Sequence, residues 1–330
     1  WGIVSAGKIS NDFTVGLSCL PAEEHKVIAV AARDFKRADD FAKLHNIPTA
    51  YASYEELAKN PEIDVVYVGS VNPEHLEISK LMLSNGKHVL CEKPLCLNKK
   101  QSTELIEFAK SKNLFLMEAI WSRFFPAYTY LKEQIVNGSL GEIQSVEACF
   151  GFDLTNVDRL QKKDLGGGTV LDLGVYTIQV CQWVMQEAPQ SIEASGELNP
   201  EGVDIAVNAT LKYSNGKICK ISTSAKEMLE NIAVIKGSKG QITLKNFWCP
   251  TTLIDVNRTI KTWDLFKTNK FLNFPNSQGL AYQAISVRDC ILNKKVECPI
   301  VPHSESLLIA EIQDTIRHQI GVKFDRTSFL

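Results

Sequence analysis

Trp1-Gly2-Ile3-Val4-Ser5-Ala6-Gly7-Lys8-Ile9-Ser10 opens as a short apolar strand and turns at Gly7 into a helix pattern over Ile9–Leu20. A strand that feeds a helix through a glycine turn starts a parallel βαβ sheet and sets a helix N-terminus where a pyrophosphate can be held. The full fingerprint, G-x-G-x-x-G/A, is depleted: Ser5 stands at its first position and Ser10 at its last, so only Gly7 survives. Whether this is a dinucleotide loop or a plain tight turn depends on the strands that follow.

Val27–Ala32, Val65–Gly69, His88–Cys91 and Leu114–Met117 are near-continuous apolar runs, as expected of parallel strands covered on both faces. Helix patterns over Phe35–His45, Tyr54–Lys59, Pro73–Asn85 and Asn98–Ser111 separate them, with Ser53 and Asn98 at capping positions. The alternation predicts an α/β fold that begins with a Rossmann doubly wound parallel sheet over residues 1–120.

After Trp121 the texture changes to β-like segments at Ile143–Phe150, Ile192–Ser195, Ala206–Tyr213, Lys217–Ser224, Ala233–Lys236 and Gln241–Leu244, broken by turns such as Ser214-Asn215-Gly216. Helix patterns at Leu171–Met185, Gly279–Leu292 and Glu305–Ile320 interrupt them. Residues 121–330 are thus expected to form a C-terminal α+β domain with a mostly antiparallel open sheet, which binds substrate and supports dimerisation.

A chain of 330 residues exceeds what one core usually serves, which agrees with two domains. The 36 basic and 38 acidic residues give a net charge of −2, so neither nucleic acid nor an anionic membrane is an expected partner. Nine cysteines, without CxxC pairs or zinc-type histidine spacing, predict reduced thiols in a cytoplasmic protein and no metal site. No stretch reaches the roughly 18 apolar residues of a membrane span.

The second strand run ends in Arg33-Asp34, with Arg37 beyond it. An NAD site presents a carboxylate here to the ribose 2′-hydroxyl, whereas a guanidinium suits a 2′-phosphate, so Arg33 and Arg37 point to NADP. Gly7, Lys8 and Ile9 are the expected pyrophosphate contacts. Ligands of such sheets bind at strand C-termini, which adds Tyr67, Ser70, Asn72, His75, Glu92 and Lys93 to the candidate cofactor residues. Pro94 restricts Lys93 to an extended backbone, so its ammonium is expected in the crevice near the nicotinamide. Gly166-Gly167-Gly168 then leads into an apolar helix pattern where Asp172 and Tyr176, four apart, share one face.

The ordered set Gly2-Ile3-Val4-x-x-Gly7-x-Ile9, Glu92-Lys93-Pro94 and Gly166-Gly167-Gly168 with Asp172 and Tyr176 resembles the glucose–fructose oxidoreductase / inositol dehydrogenase (Gfo/Idh/MocA) family over essentially the whole chain. Longer strings, among them Ala31-Ala32-Arg33-Asp34, Tyr54-Glu55-Glu56-Leu57-Ala58, Met117-Glu118-Ala119-Ile120-Trp121 and Phe247-Trp248-Cys249-Pro250-Thr251, are similar to one branch of that family. The resemblance implies NADP-dependent oxidation of trans-dihydrodiols of aromatic hydrocarbons to catechols, with activity on sugars such as D-xylose, in a cytosolic homodimer. Two departures stand out: many relatives carry His where Tyr176 stands, and the glycine loop is depleted at Ser5 and Ser10.

On this reading Tyr176 takes the substrate proton, Lys93 lowers the phenol's pKa, Asp172 orients Lys93 or the ribose, and His75 contacts cofactor or substrate. The roles of Lys93 and Tyr176 are open to exchange. Trp121, Arg123, Phe124, Phe125, Phe150, Trp248 and Phe274 join Asp172 and Tyr176 as candidate substrate contacts, because flat aromatic faces suit a cyclic diol. The competing readings are a dedicated aldose 1-dehydrogenase acting on a pyranose and a non-catalytic NADP-binding sensor.

Overall fold

In the computed structural model, which describes residues 1–323, short Val- and Ala-rich strands alternate with helices from the first residues onward. The order is β1 (Gly2–Val4), α1 (Lys8–Leu17), β2 (Ala29–Ala31), α2 (Phe35–His45), β3 (Thr49–Tyr51), α3 (Tyr54–Lys59), β4 (Val65–Val68), α4 (His75–Ser84), β5 (His88–Cys91), α5 (Lys99–Ser111) and β6 (Leu116–Glu118). Asp34 caps α2 by accepting from Lys36 N, and Ser53 caps α3 by accepting from Glu56 N. The six strands pair in parallel in the order β3-β2-β1-β4-β5-β6. Strand order reverses between β1 and β4, which opens a crevice at their C-terminal ends. β4 is buried at all four positions, as a parallel strand covered on both faces must be.

The second set of elements is α6 (Pro126–Val136), β7 (Ile143–Gly151), α7 (Asp158–Gln161), α8 (Thr169–Asp172), α9 (Gly174–Met185), β8 (Ser191–Leu198), β9 (Asp204–Lys212), β10 (Ile218–Ser224), β11 (Ile232–Gly237), β12 (Gly240–Lys245), β13 (Thr252–Ile254) and β14 (Ile260–Thr262). They build an eight-stranded sheet in the order β14-β13-β12-β11-β7-β10-β9-β8. All its pairings are antiparallel except β7 with β10. α9 has eleven of its twelve residues buried, so it is a core helix without an amphipathic stripe. Its buried amide nitrogens find partners: Gln179 donates to Tyr128 Oη and Gln182 to Tyr213 Oη. α10 (Leu280–Leu292) and α11 (His303–Gln319) follow.

The chain forms two units: residues 1–96, 100–121 and 265–306 make the first, and 97–99, 122–264 and the chain from Leu307 make the second. Residues 265–306 thus return to the first unit, where a division at 120 would assign them to the second. The cause is Asp12 of α1, which has no exposed surface. Its carboxylate accepts from Asn273 N and Nδ2, Phe274 N and Ser277 Oγ at 2.5–3.0 Å. A buried carboxylate is tolerated only when such donors replace its water, and here all but the neighbouring Asn11 Nδ2 come from residues 273–277.

Two helix expectations need correction. The pattern over Leu171–Met185 is not one helix but α8 and α9, broken at Leu173. α6 was not anticipated, although Pro126 at its first turn is a start signal.

Candidate active site

At the end of β1, Ser5 adopts φ 75°, the left-handed conformation that the first glycine of the fingerprint would supply. Gly7 caps α1 without a side-chain bond, and a Cβ there would meet nothing nearer than Ser5 Oγ at 3.7 Å. Ser10 fills the third glycine's position against β4. Its Oγ would lie 2.6 Å from a Cβ on Gly69, so the closely packed glycine has moved to the other partner. Ser70 Oγ, one residue on, is buried and makes no hydrogen bond among the described residues. An open loop, an uncapped helix start and an orphaned hydroxyl at the strand-order reversal fit a dinucleotide pyrophosphate.

Arg37 donates to Ala6 O at 3.3 Å, and Arg33 Nη1 lies 2.6 Å from Glu74 Oε1. Both guanidinium groups therefore belong to the loop's surroundings, while Asp34 is engaged as the α2 cap. Lys8 is exposed, and Ile9, Asn72 and Lys93 are half-buried.

Two cofactor candidates are buried within the first unit. Tyr67 has no exposed surface; its ring stacks on Phe13 at 3.9 Å and its hydroxyl donates to Glu92 Oε1 at 2.7 Å. Its role is to hold Glu92, which also accepts from Lys93 N. His75 likewise has no exposed surface, with Nδ1 2.8 Å from Pro94 O and Nε2 3.1 Å from Ser70 O. Burial outweighs these carbonyls and holds its pKa below the ordinary imidazole value. His75 thus ties the loop after β4 to the segment after β5.

In the second unit, Phe150 at the end of β7 is the hub of an aromatic cluster. Its ring lies 4.5 Å from Trp248 and 5.4–5.5 Å from Phe152, Tyr176 and Phe247, with the Tyr176 contact edge-on at 86°. The structure thus joins the candidates Phe150, Tyr176 and Trp248. Phe152 and Phe247 were not among the candidates; strand alternation from Phe150 is the signal that finds Phe152.

Asp172 ends α8 and Tyr176 lies in the first turn of α9. Arg159 Nη1, which sequence reasoning did not select, donates to Asp172 Oδ1 at 2.7 Å. The glycine loop ahead of α8 is held by Asp204, which accepts from Thr169 Oγ1 and Val170 N. Asp204 is fully buried, and burial raises its pKa.

Arg123 is buried, gives hydrogen bonds from Nε and Nη2 to Gln179, and lies 5.3 Å over the Trp183 ring. Phe125 has no exposed surface and Trp121 is buried in the first unit. Phe124 is half-buried, and Phe274, 38 % exposed, sits on the Asp12-anchored segment of the first unit.

Residues 1–120 match the oxidoreductase family with an NAD-binding Rossmann fold, and 128–243 match the GFO/IDH/MocA C-terminal domain. The chain belongs to the GFO/IDH/MocA family of oxidoreductases and is an enzyme of that class with a nicotinamide-binding first unit. Among individual relatives it is 45 % identical over 326 residues to a trans-1,2-dihydrobenzene-1,2-diol dehydrogenase of Xenopus tropicalis, with 98 % of each chain covered. It is 43 % identical to the protein of the same name from Homo sapiens over 98 % of this chain and 97 % of that one. The fold is shared with a levoglucosan dehydrogenase in complex with NADH and levoglucosan, at TM-score 0.82, 18 % identity and 96 % coverage of each chain. A 3-ketoreductase from Actinomadura kijaniata in complex with NADP also shares it, at TM-score 0.81, 23 % identity and 97 % coverage of each. Among the described residues no helix is long and apolar enough to cross a membrane.

Proposed function

We propose that this oxidoreductase uses NADP to oxidise trans-dihydrodiols of aromatic hydrocarbons to catechols, with D-xylose as a second substrate. The aromatic cluster around Phe150 carries the reading, because a flat cyclic diol matches stacked and edge-on rings better than a fully hydroxylated sugar does. The names of the Xenopus and human relatives agree with it. Arg33 and Arg37 beside the loop after β1 support NADP.

The bound nicotinamide supplies the hydride acceptor. Tyr176 Oη takes the proton of the substrate hydroxyl as the carbon gives up its hydride, and the resulting hydroxy-ketone tautomerises to the catechol. A free phenol titrates near ~10, too high for an efficient base at neutral pH. In this proposal Lys93 supplies the cation that lowers it, and the two groups share one titration. Arg159 neutralises Asp172 at the junction of α8 and α9, which fixes the turn carrying Tyr176.

Steady-state kinetics with trans-benzene dihydrodiol and D-xylose, each with NADP and NAD, test the reading. Tyr176→Phe and Lys93→Met are expected to lower kcat by about 10²-fold or more. Wild-type turnover in both variants would end the acid–base proposal. Faster turnover of D-xylose than of the diol would favour the aldose dehydrogenase. NADPH binding without turnover of either would favour a sensor.

We further propose a cytoplasmic homodimer. None of the nine cysteines forms a disulfide, which suits a reducing compartment. The outer face of the second sheet, at Glu193, Ser195, Asn208, Thr210, Lys220 and Ser222, is a shallow polar dish, and we take it as the surface for self-pairing. Sedimentation equilibrium giving the mass of one 36.8 kDa chain would refute the dimer.

A further inference from the structure

Around the loop after β1, four side chains from three successive connections converge: Arg33 after β2, Arg37 in α2, Tyr54 at the start of α3, and Glu74 before α4. Arg33 is 74 % exposed and already holds an anion, the Glu74 carboxylate at 2.6 Å. Glu74 is only 25 % exposed and closes a helical turn, Asn72–Glu74, so it is the more firmly placed partner of the pair. Both charges act on the half-buried Tyr54 hydroxyl, as does Arg37, which locates all four groups in one cluster.

We propose that Glu74 sets the dinucleotide preference of this enzyme by competing with a ribose 2′-phosphate for Arg33. The inference rests on the reading of Arg33 as the 2′-phosphate residue. A phosphate offers the guanidinium more charge and a second parallel hydrogen bond, so it displaces the carboxylate. The displaced carboxylate then stands beside a dianion, which lowers the net gain. An unphosphorylated ribose meets no such conflict: Glu74 keeps Arg33 neutralised and accepts a hydrogen bond from the 2′-hydroxyl. The carboxylate expected after β2 in an NAD site is therefore delivered here from the far side of the crevice, by the connection after β4. The preference for NADP is a difference between two occupants of one guanidinium.

Equilibrium binding of NADPH and NADH to the full-length protein, followed by titration calorimetry, tests this apart from turnover. Glu74→Gln keeps the side chain's shape and is expected to tighten NADPH by about 5-fold, the scale of one partly exposed ion pair, and to leave NADH within about 2-fold of wild type or weaker. Glu77→Gln removes an exposed carboxylate of α4 and is expected to change neither. Arg33→Ala is expected to weaken NADPH by at least about 10-fold and to abolish the effect of Glu74→Gln in the double variant. If Arg33→Ala weakens NADPH but Glu74→Gln does not tighten it, the competition is refuted and the Arg33 reading stands. If Glu77→Gln tightens NADPH as much as Glu74→Gln, net charge is responsible and the competition is refuted. If Arg33→Ala leaves the NADPH/NADH ratio unchanged, both readings fall.

Discussion

The loop at residues 5–10 of the first unit and the loop at 166–168 of the second each feed a helix that carries candidate chemistry, yet they hold their shapes by opposite means. In the first, a serine accepts a left-handed backbone at φ 75° and the space a glycine would leave is transferred to Gly69. In the second, Gly168 holds φ 121° with Asp204 Oδ1 occupying the place of a side chain. Strain at Ser5 is local and small, whereas Gly168 is locked by a buried carboxylate that also grips Thr169 and Val170. A fingerprint can therefore erode where the loop is open to solvent and persists where a neighbour fills the void.

Substituting Gly168→Ala should expose this contrast most strongly. The backbone strain and the overlap with Asp204 together predict a loss of about 3 kcal/mol or more in urea unfolding. The Gly168→Ala/Asp204→Ala pair should lose less than the sum of the single variants, because both act on one contact. Additive losses would separate the loop from the carboxylate.

Acid should distinguish the two units next. His25, His45, His75, His88 and His303 all lie in the first unit, and burial lowers the pKa of each, that of His45 to about 4. A histidine with a lowered folded pKa gives stability that is full above its unfolded value near 6.5 and is lost as pH falls toward the folded one. Between pH 6.5 and 4, hydrogen exchange should therefore accelerate in the first unit before the second. Equal acceleration in both would break the contrast.

Ser5→Gly is the mildest test. Relief of the left-handed strain, set against glycine's extra chain entropy, should leave stability within about 0.5–1 kcal/mol of wild type, on the favourable side. A loss beyond that would mean that the Ser5 hydroxyl stabilises the loop.

The parallel sheet was legible because buried strands such as Val65–Val68 have one composition throughout, and because caps such as Ser53 mark helix starts. β3, β13 and β14 were not, since three residues that mix polar and apolar types form neither a periodic pattern nor an apolar run. Within the candidate site, aromatic residues near Tyr176 could be named from sequence, but their sorting could not. Phe150 and Phe125 look alike along the chain; only long-range packing makes one the hub of a cluster and the other a core residue. Tyr67 and His75 were selected as groups near strand ends, and Arg123 as a flat group among aromatic residues. Their partners, Gln179, Glu92 and the carbonyls of Ser70 and Pro94, are long-range or backbone groups that no local pattern announces. Asp12 was invisible for the same reason: on α1 it reads as an ordinary solvated charge.

That aspartate bears on how the gene can be cut and rejoined. A chimera made by exchanging residues 1–120 between relatives would carry the acceptor, Asp12, away from its donors at Asn273, Phe274 and Ser277. The first unit is heritable as a working piece only if residues 265–306 travel with it, and recombination that respects the apparent boundary at 120 separates the two halves of one buried bond network.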